Sequence, residues 1–537
     1  MRETGYIGLG ISAALLMLGV ACSRTPETSS STGVIAPENM PRIGTVDDRF
    51  QSYNIEMVEV TGGRFWKPYK EVDALLKTQA AARASGSNQP AGMSPDLYQY
   101  RPPIDLSNTR LRKLAAALGP AYVRVSGTWA NTTYFQNSDK PAPKTPPKGF
   151  NGVLTRQQWK GVVDFAHAVD AKIVTSFATS PGTRNAAGVW TPDQARQFLA
   201  YTKSIGGSIA AAEFMNEPTF AAMGGAPKGY DAAAYARDIA VFRPFLKETA
   251  PEIVFLGPGS VGEGISLAPP SIHELKTEDL LKATGPVFDV FSYHSYGAVS
   301  KRCAAMGASA TTTAGAALSE AWLSRVDRIE AFYAGLRDRF DPGKPLWITE
   351  TAQAACGGDS WASTFLDTFR YLDQLGSMSK RGVQVNMHNT LASSDYGLLD
   401  ENTLAPRPNF WAALLWRKFM GTTVLDPGAS PAPSLHLYAH CLRGQPGGIA
   451  LLAINADRTA SHSVKLRTPA QSYTLSAPST PNLEDTHVQL NGNELKLDAD
   501  DGIPSFTGVP INSGQVTLAP ATISFLAIPT ANNASCR

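Results

Sequence analysis

Charge is scarce and balanced in this sequence. Lys and Arg number 48 against 46 Asp and Glu, a net of +2, and charged residues make up 18% of the 537 positions. No basic block occurs, so the electrostatic footprint needed for nucleic acid or for an anionic membrane surface is missing. Cysteine is sparse too: the five thiols include no CxxC and no Cys/His cluster at zinc spacing, so no metal and no cofactor is expected. Long apolar runs are absent from the body of the chain, and the stretch from Ile7 to Val20 is too short for a comfortable membrane span. There is no GxSxG, no HExxH and no GxxxxGK followed by Ser or Thr, which removes the usual signals of serine hydrolases, zincins and P-loop enzymes. Gly257 to Gly262 does fit GxGxxG after a strand. Pro269-Pro270 arrive too soon for the helix that a dinucleotide site needs, and the segment reads as a loop.

What is present begins with a targeting segment. Arg2, the apolar stretch and Leu18-Gly-Val-Ala-Cys22 read as a signal peptide over residues 1–22 of the lipoprotein type, with Cys22 as the acylated residue. Residues 23–45, rich in Ser, Thr and Pro at their start, read as a flexible tether. The protein is therefore expected to be exported, as a cell-envelope lipoprotein or a secreted protein, with membrane contact only through the lipid.

From Gln51 to about Gly421, short apolar runs alternate with amphipathic helices, the pattern of a parallel sheet with crossover helices. Eight runs start the units: Tyr53–Val60, Ala121–Val125, Lys172–Phe177, Ile209–Met215, Ile253–Leu256, Phe288–Tyr293, Pro345–Thr349 and Val383–Met387. Eight such units imply a (β/α)8 TIM barrel over residues 46–425. Thr155-Arg-Gln-Gln158 and Thr191-Pro-Asp-Gln194 read as capping boxes that open two of the helices. After Asp426 helical periodicity disappears and short alternating runs follow, so residues 426–537 read as a β-sandwich, with Asn491-Gly492 as a hairpin turn.

Two carboxylates stand out. Glu217 closes the fourth run and Glu350 the seventh, each a charged group at the end of a core strand, where desolvation makes it costly unless it has a task. On a barrel both fall at the catalytic face. Paired carboxyls there suit a retaining glycosidase, with Glu217 as acid/base and Glu350 as nucleophile, about 5–5.5 Å apart. Asn216 would donate to the sugar 2-hydroxyl. A tyrosine of Tyr293-His-Ser-Tyr296 would steady the nucleophile, and Thr128 would reach the sugar. The backbone N–H groups of Cys356-Gly357-Gly358 would cradle a carboxylate. Cys303 and Cys356 follow neighbouring strands, and a bridge between them would brace the rim. A bridge from Cys441 to Cys536 would tie down the C-terminus.

The segments Leu111–Thr128, Asn216-Glu217-Pro218, Asp395–Asn402 and Val488–Gly492, with the Cys441/Cys536 placement, resemble glycoside hydrolase family 79, the heparanase family. The resemblance implies a barrel with a β-sandwich and retaining cleavage of β-glucuronides, in polysaccharides or oligosaccharides, from inside the chain or from its end. By the same matching Glu217 is the acid/base, Glu350 the nucleophile, and Glu56, Thr128, Asn216, Tyr296, Asn389 and Tyr396 line the cleft, with glucuronate received near Gly357. Heparanase has an excised linker where this chain has only Asn131–Gly149, so one uncut chain is expected. It also has basic residues where this chain has Phe220-Ala-Ala-Met223, leaving Lys301 and Arg302 as the main cations expected near the mouth. The alternatives are a glycosidase of the same fold for another hexose and a non-catalytic carbohydrate-binding lipoprotein.

Overall fold

Eight parallel strands close into a barrel in the computed structural model, which describes residues 33–71, 74–77, 95–268, 274–304, 310–479 and 482–537. They are β1 (Gln51–Glu56), β2 (Ala121–Ser126), β3 (Ala171–Ser176), β4 (Ile209–Glu213), β5 (Val254–Ser260), β6 (Val290–Ser295), β7 (Leu346–Thr351) and β8 (Val383–His388). β8 pairs with β1 to complete the ring. The alternation of each strand sends one set of side chains outward to the helices and the other into the barrel. On β2, Val123 and Val125 join the core under the helices, while Tyr122, Arg124 and Ser126 face inward. Inward residues of the barrel form one apolar plug: Tyr122, Val174, Ala211, Leu256, Val290, Trp347 and Val385, with Met387 nearer the end of β8.

One irregularity aims the site. Between β6 and β7, Tyr293 lies opposite Ile348 and His294 opposite Glu350, so Thr349 is an extra residue on β7. This bulge lets consecutive residues both face inward: the Thr349 hydroxyl donates to Glu213 (2.7 Å), and Glu350 accepts from Arg124 (2.9 Å).

Four readings change. The first strand stops at Glu56, and Met57–Thr61 is a helix whose Glu59 side chain accepts from the Glu56 N–H at 2.6 Å. Thr155 and Gln158 form their capping box, but the helix Asp193–Ser204 begins without a side-chain cap, because Gln194 accepts instead from the Phe135 N–H. Gly257 to Ser260 is not a loop but the last part of β5. The tether is shorter than expected: Gly33–Ile35 pairs with His462–Leu466, and Arg42–Thr45 pairs with Met420–Leu425. Cys22, residues 1–22 and the tether up to residue 32 lie outside the described residues.

The C-terminal part is two packed sheets, as its alternation predicts. The larger runs in the order 42–45, 420–425, 435–442, 449–455, 522–528, 470–476, 489–490 and 493–494, and the smaller joins 33–35, 462–466 and 514–518. Ile449–Asn455 is buried on both faces, which is why it reads as an unbroken apolar run. Ile449, Leu451 and Ala453 pack toward the smaller sheet, whereas Ala450, Leu452 and Ile454 join the core shared with the barrel helices. Cys441 and Cys536 are bonded and tie the chain end to this sheet.

Candidate active site

Glu217 stands beyond the end of β4 and Glu350 near the end of β7. An oxygen of each and a ring nitrogen of His294 all lie within 4.8 Å of one another. This is the close spacing of carboxyl groups in retaining enzymes, not the wider gap that inverting enzymes leave for water. Glu217 adopts a left-handed backbone (φ +50°), rare for a residue with a side chain, immediately before Pro218. The side-chain amide of Asn131 holds that backbone in place. It donates to the Asn216 carbonyl (2.9 Å) and accepts from the Asn216 N–H (2.8 Å).

Arg124 organises the floor. Fully buried on β2, it donates through Nη1 to Glu350 (2.9 Å) and through Nη2 to Glu213 (2.9 Å) and to the Asn216 side chain (2.7 Å). Glu213 also accepts from the hydroxyls of Ser292 (2.8 Å) and Thr349 (2.7 Å). Burial works against the Glu213 charge, but Arg124 and these donors outweigh it and hold the carboxyl below its usual range. A buried guanidinium without its carboxylates would cost about 3–5 kcal/mol, so this cluster stands or falls as a unit.

The same arginine fixes the proton on His294. Arg124 Nη2 lies 3.2 Å from Nε2 and can only donate, so Nε2 accepts and the proton sits on Nδ1. Nδ1 then donates to Glu217 Oε1 at 2.9 Å. An acidic proton on Glu217 therefore belongs on Oε2. Burial raises the Glu217 pKa first, and the neighbouring Glu350 charge adds to it, while His294 pulls it down; the net shift is upward. On the other side Glu350 Oε1 accepts from the Tyr296 hydroxyl (2.7 Å). Charge balance in this cluster is already supplied by Arg124, which would face any metal placed among the three donors.

Above the floor lies a cavity of about 270 Å³, lined by Glu56, Thr128, Asn216, Glu217, Tyr296, Glu350, Asn389 and Tyr396 among others. All eight cleft residues expected from the sequence are thus brought together. The Asn389 amide ties them, reaching Glu56 (3.0 Å), Tyr396 (3.1 Å) and Tyr296 (3.3 Å). Burial first, and then the Glu350 charge, push the Glu56 carboxyl well above its ordinary range. Gly127 is required beside it, because a Cβ there would stand 1.5 Å from Glu56 Oε2.

The carboxylate cradle differs from its expected form. The Gly358 N–H is spent on the Ala354 carbonyl (3.2 Å), and the cavity is lined by Ala355 and Cys356 rather than by Gly357 or Gly358. The Gly357 N–H has no acceptor among the described residues. Cys303 and Cys356 are bonded across this rim. Arg302 is not a mouth cation. It is fully buried, stacked 4.0 Å from the Tyr69 ring centre, and donates to Asp395 and to the Gly358 and Cys356 carbonyls.

Arg124, Glu213 and Asn131 had no role assigned from sequence. A signal existed for the first two: each is a charge inside an apolar strand run, the same oddity that singles out Glu217 and Glu350.

With this geometry in view, likeness to known proteins becomes informative. Residues 102–376 match glycosyl hydrolase family 79, N-terminal domain. Heparanase-like protein 1 of Arabidopsis thaliana is 26% identical over 486 residues, covering 81% of this chain and 86% of its own. Baicalin-beta-D-glucuronidase of Scutellaria baicalensis is 25% identical over 501 residues, covering 85% and 89%. Among solved structures, a 4-O-alpha-L-rhamnosyl-beta-D-glucuronidase from Fusarium oxysporum 12S superposes with a TM-score of 0.60 at 14% identity, covering 93% of this chain and 99% of that one, a likeness of fold. The family match spans half the chain, from ahead of β2 to the helix after β7, and includes both glutamates; the chain belongs to glycosyl hydrolase family 79 and is a glycoside hydrolase.

Proposed function

We propose that this protein is a retaining β-glucuronidase acting on glucuronate-containing glycans or glycosides, with Glu350 as nucleophile and Glu217 as acid/base. The observation that carries the reading is the closeness of two carboxyls in opposite surroundings. Glu350 accepts from the Arg124 guanidinium and the Tyr296 hydroxyl. Glu217 is pushed toward the protonated form. In the first step Glu350 attacks the anomeric carbon, while Glu217 Oε2 gives its proton to the departing oxygen. In the second, Glu217 takes a proton from water, which attacks the same carbon and frees Glu350. Loss of the Glu350 charge on forming the ester removes one cause of the raised Glu217 pKa, as the change from acid to base requires. The glucuronosyl preference is supported by the family and by relatives named as glucuronidases. The sugar carboxylate would be received at the Ala355–Cys356 rim, which lines the cavity.

The disulfides suit an oxidising compartment, so we place the protein outside the cytoplasm; acylation at Cys22 is part of the same proposal. Paired kinetics on an aryl β-glucuronide and the matching β-glucoside test the sugar. Proton NMR of the first-formed product tests the stereochemistry. Preference for the glucoside, or an α-configured first product, would overturn the respective half of the reading.

A further inference from the structure

The wall of the cleft beside the acid/base has a composition that the chemistry at the floor does not explain. Phe220 ends the short 3-10 turn Pro218–Phe220 that Glu217 opens, and Met223 follows with 45% of its surface exposed. Trp129 comes from the turn after β2, and Val261 and Leu267 from the loop after β5. All five line the cavity. Its acidic lining residues are Glu56, Glu217 and Glu350, and no Lys or Arg is among the described ones.

This wall is held rigidly. The Thr219 hydroxyl donates to the Val261 carbonyl (2.9 Å) and accepts from the Val261 N–H (3.1 Å), and the Leu275 N–H donates to the Thr219 carbonyl (2.9 Å). Phe220 packs at Gly262, where a Cβ would already stand 3.0 Å from its ring. Trp129 is fixed by edge-on contact with Phe65, ring centres 5.0 Å apart. Because Glu217 delivers its proton to the departing oxygen, the group attached to that oxygen must leave along this wall. A rigid apolar wall recognises apolar surface, and a cleft with no Lys or Arg in its lining offers a polyanion no partner.

Resting on the glucuronidase reading above, we propose that the leaving-group side of the cleft is an apolar platform built from Phe220, Met223 and Trp129. It selects glucuronides whose aglycone is uncharged and aromatic or otherwise apolar over sulfated glycan chains. Met223, the most exposed of the three, sets the outer contact.

The test compares 2-phenylethyl with 2-methoxyethyl β-glucuronide, whose leaving alkoxides have similar basicity, so that contact rather than reactivity decides the ratio. A sulfated glucuronosyl disaccharide is the third donor. The phenylethyl donor should lead the methoxyethyl one in kcat/KM by roughly tenfold or more, as apolar contact in a preformed site allows. Met223→Lys should shrink that lead and raise relative turnover of the sulfated donor; Met223→Leu should keep the lead. Equal kcat/KM for the two alkyl donors, or a sulfated donor that outruns the phenylethyl one, would overturn the platform. If glucuronides fail and the matching glucosides turn over, the sugar reading falls, and the phenylethyl-to-methoxyethyl ratio on glucosides decides the platform alone. Binding of the same pair to Glu350→Gln, read by calorimetry, gives the ratio without turnover.

Discussion

The two ends of the barrel interior are built by opposite rules. Toward the strand starts, Tyr122, Ala211, Val290 and Trp347 help fill the tube with apolar surface. One turn of alternation further along the same strands, the inward positions are Arg124 on β2, Glu213 on β4, Ser292 on β6 and Thr349 on β7, all buried and all bonded to one another's groups. The lower end stabilises the fold by removing hydrocarbon from water. The upper end spends stability on buried charges that position Glu350 and the backbone before Glu217. The difference separates what substitutions at each end should do: lower ones should cost stability and spare chemistry, and upper ones the reverse.

Removing the proposed nucleophile should give the largest effect. Glu350→Ala is expected to lower kcat/KM on an aryl β-glucuronide by about 10⁴-fold, roughly 5 kcal/mol of barrier; retention of even a tenth of the activity would remove Glu350 from its role. Glu217→Ala should cost about 10²–10⁴-fold on alkyl glucuronides, where the departing oxygen needs a proton, and far less on activated aryl ones. Equal losses on both would count against Glu217 as the acid. At the lower end, Leu256→Ala should cost about 2–5 kcal/mol of stability by opening a cavity in the plug. That loss is read in denaturant melts, with kcat of the folded fraction unchanged; a lost kcat with an intact melt would break the division between the two ends. The smallest effect should be a shift, not a loss. His294 lowers the Glu217 pKa by donating to it, so His294→Phe should raise that pKa further. Since the acid must be protonated to act, the basic limb of the kcat/KM profile should move to higher pH; a move to lower pH would contradict the assigned proton positions.

The parallel strands were legible because a strand buried on both faces must be apolar throughout, and eight such runs leave few architectures. Glu217 and Glu350 were legible for the reverse reason, as charges where charge is costly. Strict alternation, however, would have put Glu350 on the face opposite Thr349, and only the bulge brings both inward. A bulge has no short-range signature here, and the same holds for the N-terminal strands. Gly33–Ile35 and Arg42–Thr45 are short, and the partners that make them strands lie near the other end of the chain. Met57–Thr61 misled because Glu56 and Glu59, rather than Ser or Thr with Glu, satisfy its first N–H groups. Thr191 misled because its expected partner Gln194 is taken by Phe135. Each failure has the same origin: a local pattern loses to a contact that only the folded chain supplies.

The pairing of Gly33 with Val464, and the Asn533 amide that donates to the Pro37 and Met40 carbonyls, give the chain a clasp whose halves are made at opposite times during synthesis. The catalytic barrel can assemble from contacts along its own length, but Gly33–Ile35 and Arg42–Thr45 have nothing to pair with until residues 420–425 and 462–466 have been made. The described molecule therefore closes from its two ends, and only once its last strands have been made.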